Sequence, residues 1–279
     1  MKLLGIVFLY YPDNRIIDNI NTYLSYVDTL ILWKNSSLDI DLSLLVNKNW
    51  LILGNEQNWG IGKPLNYAVS YAFDNGYTHL LTMDQDSSFV EGDFVKYLEY
   101  VTVCPIKQVG CFSPNMDFNM CRDEKNVYRR LDVSITSGSI YPISVFSKVG
   151  LFKEEYFIDA IDTEFCFRLR SFNYDIVEVT TVYMKHLLGN KTIFKIFSIQ
   201  FSSINYSPMR TYYTIRNHYI TNKQYPQYTN IISFYKFFLF RRFLQILMLE
   251  PNKKSKIKAM CYGFLHGLQG RLGKFLYDK

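Results

Sequence analysis

The chain opens on a continuous apolar run, Leu3 to Leu9, bounded by the polar stretch Tyr10-Tyr11-Pro12-Asp13-Asn14. A run of that length reads as a buried parallel strand leading through a loop into a helix capped by Asp13 or Asn14, with Ile16, Ile17, Ile20 and Leu24 at helical spacing. It lacks a small-residue cleavage site, and Pro12 and Asp13 end it too soon for a membrane span, so a first strand is expected. Thr29 to Trp33 and Trp50 to Leu53 are two further strand-length runs, ending in Lys34-Asn35-Ser36 and in Gly54-Asn55. A helix from about Pro64 to Asn75 carries Leu65, Ala68, Val69 and Ala72 at helical spacing, and Gly76 stops it. Beyond it the pattern predicts a strand through Leu80, Leu81 and Met83, a helix over 91–101, and a strand over 108–112. A polar, irregular stretch over 114–130 then suggests a surface excursion or a loop over a site. Asp132 to Thr136 predicts a strand ending at Ser137-Gly138-Ser139, Phe146 to Gly150 closes a short helix, a helix starts near Ala160, and 173–182 is strand-like. Strands that alternate with helices and end in polar residues predict an α/β fold whose sheet gathers ligands at its carboxyl edge.

The strand through Met83 runs directly into Asp84-Gln85-Asp86. Carboxylates at i and i+2 beyond a buried strand repel one another, and a cation between them relieves that repulsion; an Asx-rich turn is the simpler use of the same residues. A second acidic cluster, Phe157-Ile-Asp-Ala-Ile-Asp-Thr-Glu164, places Asp162 in a first helical turn. There Asp159 or Asp162 either caps the helix or serves as a general base. Gly60 and Gly62 before the 64–75 helix let the backbone approach a ligand, although their spacing matches no dinucleotide or P-loop fingerprint.

Charge divides the chain. Residues 205–279 hold 13 Lys+Arg against Glu250 and Asp278, a net of +11, which leaves 18 against 23 and a net of −5 for residues 1–204. The sequence therefore suggests an α/β domain over 1–204 and a basic, aromatic helical region over 205–279 that meets an anionic surface. Five cysteines, an odd number without C-x-x-C spacing, argue against a disulfide framework or a zinc site and fit a reducing cytosol.

The order of the pieces resembles glycosyltransferase family 2, inverting enzymes of the GT-A fold, and within it the rhamnosyltransferase-like branch. The resemblance rests on Asn35-Ser-Ser, Asn58-x-Gly-Ile-Gly-x-x-x-Asn66, Asp84-Gln-Asp-Ser, Ser137-Gly-Ser, Phe157-Ile-Asp-x-x-Asp-x-Glu-x-x-x-Arg168, His186-x-x-Gly189 and Arg210-x-Tyr-Tyr-x-x-Arg-Asn217. It implies a GT-A fold, Rossmann-like with a mostly parallel sheet flanked by helices, and a C-terminal helical extension. It further implies that Asp84, Asp86 and His186 hold Mg²⁺ or Mn²⁺. The nucleotide-sugar donor would lie against Tyr10, Asp13, Asn35, Asn55, Asn58, Gly60, Asn66, Asp84 and Gln85, and Asp162 would be the catalytic base. Ser137, Gly138, Asp159, Glu164, Arg210 and Arg216 would meet the acceptor or phosphate. Two departures stand out: Lys63-Pro64 where the family carries small residues, and Ile161 in place of an acidic residue before Asp162.

The implied activity is inverting transfer, with L-rhamnose from dTDP-rhamnose or a hexose from a UDP-sugar going to a lipid-linked oligosaccharide of a bacterial surface polysaccharide, O-antigen or capsule. Phe234 to Leu249 is very apolar, yet Lys236, Arg241 and Arg242 argue against a span and for an interfacial helix at the inner face of the cytoplasmic membrane, with Lys253, Lys254, Lys256 and Lys258 adding attraction. Packing on the catalytic domain or homo-oligomerisation are the other uses of those aromatics. Two rivals fit less well. A sugar nucleotidyltransferase wants a glycine-rich, Arg-containing loop where Tyr10-Tyr-Pro-Asp-Asn stands, and a nucleic-acid-binding protein wants a module that the tail lacks.

Overall fold

The computed structural model describes residues 1–116, 125–186, 192–196 and 199–275. Gly189 and the middle of the 114–130 stretch lie outside them. The chain forms two compact units, one of Met1–Phe152 with Phe165–Leu187, the other of Lys153–Glu164 with Leu188–Lys279.

The first unit is α/β. Its strands are β1 (Leu3–Leu9), β2 (Thr29–Lys34), β3 (Trp50–Leu53), β4 (His79–Asp84), β5 (Ser87–Phe89), β6 (Val109–Asn115), β7 (Tyr128–Leu131), β8 (Ser139–Pro142) and β9 (Asp175–His186). They form one sheet in the order β3-β2-β1-β4-β8-β6-β9-β5, with β7 added on β9. β1, β2, β3 and β4 are mutually parallel, β6 and β9 are parallel, and β8 enters antiparallel between β4 and β6. The flanking helices are α1 (Arg15–Asn21), α2 (Gly62–Asp74), α3 (Asp93–Val103) and α4 (Phe146–Val149). Every residue of β1 is buried, as its unbroken apolar run requires of a strand covered on both faces. Ile16, Ile17 and Ile20 of α1 and Phe94, Tyr97 and Val101 of α3 pack in the same core as Leu3, Val7, Leu81 and Met83.

Several sequence expectations need correction here. Asp132 to Thr136 is not a strand; the strand begins after Ser137-Gly138, because β8 returns antiparallel along β4 from Thr82↔Ser139 to His79↔Pro142. The 114–130 stretch is less irregular than its polarity suggests, since β6 runs on to Asn115 and β7 starts at Tyr128. Asn14 provides no side-chain cap to α1, while Asp13 accepts from the Arg15 backbone N–H at 3.0 Å.

The second unit is mainly helical. The first turn of α5 (Ile161–Ser171) belongs to it, followed by the antiparallel pair β10 (Thr192–Ile196) and β11 (Ile199–Ser203) and by α6 (Pro208–Gln224), α7 (Ile231–Ser233), a π-helical stretch Phe234–Phe240, α8 (Arg241–Leu249) and α9 (Lys253–Leu268). Ser207 caps α6 by accepting from the Arg210 N–H, and Pro208 fills the first turn, where no backbone donor is needed. Gly263 lets α9 lie tight on α6, since a Cβ there would stand 2.5 Å from the Tyr212 carbonyl oxygen. The hydrophobic stretch 234–249 is a π-helical segment followed by an α-helical one.

Candidate active site

The acidic turn begins where β4 ends. Asp84 pairs with Phe8 of β1, so the turn opens beside the loop that follows β1. Gln85 fastens the two: its Oε1 accepts the Tyr10 N–H at 2.8 Å and its Nε2 donates to the Tyr10 carbonyl at 3.1 Å. From α1, Asn19 donates to the Gln85 carbonyl at 2.9 Å. Next, β5 pairs antiparallel with β9 in a register that sets Ser87 opposite His186, 99 residues away in sequence. That pairing carries the imidazole to the acidic turn.

One ligand atom each from Asp84, Asp86 and His186 lie within 4.8 Å of one another. Asp86 Oδ1 is closed off from solvent with no hydrogen bond and stands 3.3 Å from His186 Nδ1. A hydroxyl relay ties the three residues together. The Asp84 N–H donates to Ser137 Oγ at 3.0 Å, Ser137 Oγ donates to Ser87 Oγ at 2.7 Å, and Ser87 Oγ lies 2.8 Å from His186 Nδ1. Two carboxylates and an imidazole are a donor set for Mg²⁺ or Mn²⁺, and the orphaned Asp86 oxygen gives such an ion a partner to satisfy.

The asparagines expected at the donor are largely tied to the backbone. Asn35 is buried; its Nδ2 donates to the Gly60 carbonyl at 2.8 Å and its Oδ1 accepts the Trp59 N–H at 3.2 Å. It thus holds the Trp59-Gly60 turn, with Gly60 at φ +72°. Asn58 Oδ1 accepts the Gly60 N–H at 2.9 Å, and the exposed Asn55 accepts the Trp59 indole N–H at 2.9 Å. Asn66 locks both backbone groups of Phe152, at 2.9 and 3.0 Å. Lys63, one of the two unusual residues here, lies 3.5 Å from the Trp59 ring centroid as a cation–π partner. Tyr10 is exposed, and Asp13 pairs with Arg15 at 2.6 Å, a hydrogen bond that lowers its pKa.

Ser137 and Gly138 are also framework. Gly138 sits at φ +78°, its N–H donates to the Thr82 carbonyl at 2.8 Å, and an added Cβ would lie 2.6 Å from Met184 Sδ. Only glycine fits there, and the fit presents Ser137 to Asp84.

In the second unit, Asp159 is held by Arg210 through a bidentate pair of 3.1–3.3 Å and by Thr214 Oγ1 at 2.9 Å. Asp162 is half-buried at the start of α5, and its Oδ1 accepts the Thr163 N–H at 2.7 Å. Burial raises its pKa above the ordinary 3.8; the Thr163 N–H opposes the rise and the Asp159 charge adds to it. Glu164 and Arg216 correct the sequence reading. Glu164 is fully buried, with Tyr225 Oη donating to it at 2.8 Å and Lys153 at 3.6 Å. Arg216 is buried with its guanidinium on the carbonyls of Glu155, Tyr156 and Gly273. Neither side chain is presented to an acceptor or a phosphate.

No family model matches the sequence. A curated relative, "dTDP-rhamnosyl transferase RfbF" of Shigella flexneri, is 27% identical over 304 residues, covering 99% of this chain and 99% of the relative. Among solved structures, residues 1–349 of S. aureus TarS in complex with UDP-GlcNAc match at a TM-score of 0.57 and 15% identity over 96% of this chain and 81% of that one. GalNAc-T7 with UDP, GalNAc and Mn²⁺ matches at 0.56 and 11% over 96% of this chain and 56% of that one. The chain has the fold of the GT-A glycosyltransferases. The solved structures establish the fold, and the curated relative is similar along the full length of both chains.

Two framework residues of the site, Ser87 and Asn19, are not singled out by the sequence. Ser87 was visible only as the residue after Asp86, and its link to His186 appears only in the β5–β9 register. Asn19 carries no motif at all. Asn217, which the resemblance implies as a phosphate contact beside Arg210 and Arg216, is buried with its amide on the carbonyls of Tyr156, Ile158 and Asp159.

Proposed function

We propose that this protein is a glycosyltransferase that moves L-rhamnose from dTDP-rhamnose, with inversion, onto a lipid-linked saccharide of a bacterial surface polysaccharide at the inner face of the cytoplasmic membrane. The observation that carries the reading is the similarity to a dTDP-rhamnosyl transferase along 99% of both chains. A divalent cation held by Asp84, Asp86 and His186 would offset the charge that collects on the departing diphosphate. Gln85 ties the Tyr10 loop to the acidic turn by two hydrogen bonds, so the loop that would receive the nucleotide lies beside the carboxylates that would hold the cation.

Asp162 takes the proton of the acceptor hydroxyl while that oxygen bonds to the anomeric carbon and the carbon–oxygen bond to the diphosphate breaks. One displacement inverts the anomeric centre, and dTDP leaves with the bonding pair. Asp159 is the poorer candidate, because Arg210 and Thr214 already engage its carboxylate. Burial raises the pKa of Asp162, which strengthens its carboxylate as a proton acceptor.

For the membrane, support comes from α8 and its surroundings. Phe240, Leu244, Leu247 and Met248 are exposed at i, i+4, i+7 and i+8, a single stripe with exposed Lys236, Arg241, Lys253, Lys254 and Lys258 in the same segment. Lys256 does not contribute, being buried against Glu250 at 2.7 Å. No helix among the described residues is long and apolar enough to cross a membrane.

The test is a donor screen. Nucleoside diphosphate release from dTDP-rhamnose, UDP-glucose and UDP-galactose is measured with a synthetic polyprenyl-diphosphate-linked saccharide, before and after EDTA and with Mg²⁺ or Mn²⁺ restored. The expected result is dTDP release that EDTA abolishes and either ion restores. Preference for a UDP-hexose would overturn the donor assignment, and turnover indifferent to EDTA would remove the metal from the site.

A further inference from the structure

The segment between Tyr156 and Ala160 holds a backbone that its own residues do not favour. Phe157 sits at φ +65° and ψ −60° in a γ-turn, closed by the Ile158 N–H donating to the Tyr156 carbonyl at 2.8 Å. Asp159 and Ala160 follow at φ +63° and +60°. None of the three is glycine, so each Cβ opposes the conformation, and something outside the segment must hold it.

Helix α6 supplies the hold. The side-chain amide of Asn217 donates to the carbonyls of Tyr156, Ile158 and Asp159 at 2.9, 2.8 and 2.9 Å. Arg216 orients that amide by donating from Nε to Asn217 Oδ1 at 2.8 Å, and its Nη2 reaches the Glu155 and Tyr156 carbonyls at 3.0 and 3.3 Å. Tyr213 stacks on Phe157 with centroids 5.0 Å apart, and Thr214 and Arg210 hold the Asp159 carboxylate. Positions 210, 214 and 217 share one face of α6, so a single helix face is the template for the segment. Asn217 and Arg216 are 0% and 1% exposed and so touch no substrate. The backbone they fix leads directly into α5, where the Glu164 N–H bonds the Ala160 carbonyl at 2.9 Å and Asp162 occupies the first turn.

We propose that Asn217, braced by Arg216, is a positioning residue for catalysis: it clamps the left-handed Tyr156–Ala160 backbone and thereby aims the Asp162 carboxylate. This rests on the reading of Asp162 as the base. A strained entry to a helix has other conformations close by, and without the clamp the entry would relax into them and turn the first residues of α5.

The test compares Asn217→Ala, Asn217→Ser and Asp162→Asn in the full chain, with dTDP-rhamnose and the polyprenyl-diphosphate-linked saccharide as substrates. Asn217→Ala is expected to lower kcat by about 10²-fold with the donor KM within about twofold, as misplacement of a catalytic group does. It should also shift the acid limb of the kcat profile, and Asn217→Ser, which keeps one donor, should recover part of both effects. Hydrogen exchange gives a readout without turnover: amides 157–163 should exchange faster in Asn217→Ala while those in the middle of α6 keep their protection. If Asn217→Ala proves too unstable to assay, Asn217→Ser carries the same comparison in smaller measure. Asn217→Ala with wild-type kcat, or with a kcat that falls only as the folded fraction falls and a fixed pH limb, overturns the clamp. Near-normal turnover in Asp162→Asn overturns the base assignment and the clamp with it, whereas an inactive Asp162→Asn beside an unaffected Asn217→Ala overturns the clamp alone.

Discussion

Asp159 and Asp162 stand three positions apart and are held in opposite ways. Arg210 and Thr214 engage the first, whereas the second has the local Thr163 bonds and a pKa raised by burial. A base must be ionised to act, so turnover should fall as pH drops through the raised Asp162 value, and the acid limb of kcat should lie above 3.8. A limb at or below the ordinary aspartate value would separate Asp162 from the rate. The stability effect has a definite sign. A carboxyl whose folded pKa lies above its unfolded value favours folding while protonated and loses that contribution as pH rises between the two values. Asp162→Asn should therefore abolish turnover while leaving the melting temperature at pH 7 unchanged or raised. A lowered melting temperature together with retained turnover would assign Asp162 to structure.

At the scale of elements, strands and helices were legible wherever one period ruled. The unbroken run of β1, the alternation into β2 and β3, and the spaced Leu65, Ala68, Val69 and Ala72 of α2 all formed as their patterns predict. What could not be read depends on partners far away in sequence. β8 is defined by pairing with β4, β7 by pairing with β9, and the strained entry to α5 by side chains some 60 residues downstream on α6. The π-helical stretch 234–240 breaks a pattern that looked like one amphipathic helix, and what survives as a single exposed apolar stripe is mostly α8. That stripe carries a prediction of its own. Each basic residue near an anionic bilayer is worth about 1 kcal/mol, and the apolar face supplies the rest. The full chain should float with vesicles rich in phosphatidylglycerol and not with phosphatidylcholine alone, and Leu244→Glu with Leu247→Glu should abolish flotation. Flotation that survives both changes would place lipid contact elsewhere.

Across the whole molecule, the candidate site was legible as chemistry and obscure as construction. Asp84, Asp86 and His186 were expected together and lie together, because the β5–β9 register makes neighbours of residues about 100 apart. By contrast, Asn35, Asn66, Ser137, Gly138 and Arg216 carry the motifs yet serve the framework, bonding backbone and turns. A motif residue that fixes a loop and one that touches a ligand look alike in sequence; burial and hydrogen-bond partners separate them. The charge division, −5 over residues 1–204 and +11 over 205–279, is the feature on which the proposed contact with an anionic surface rests. The central claim is a single displacement at the anomeric carbon, and product stereochemistry tests it most directly. NMR of the saccharide formed from dTDP-rhamnose should show an anomeric configuration opposite to that of the donor. A product that retains the donor's configuration would contradict the account, since it demands two displacements or a different nucleophile.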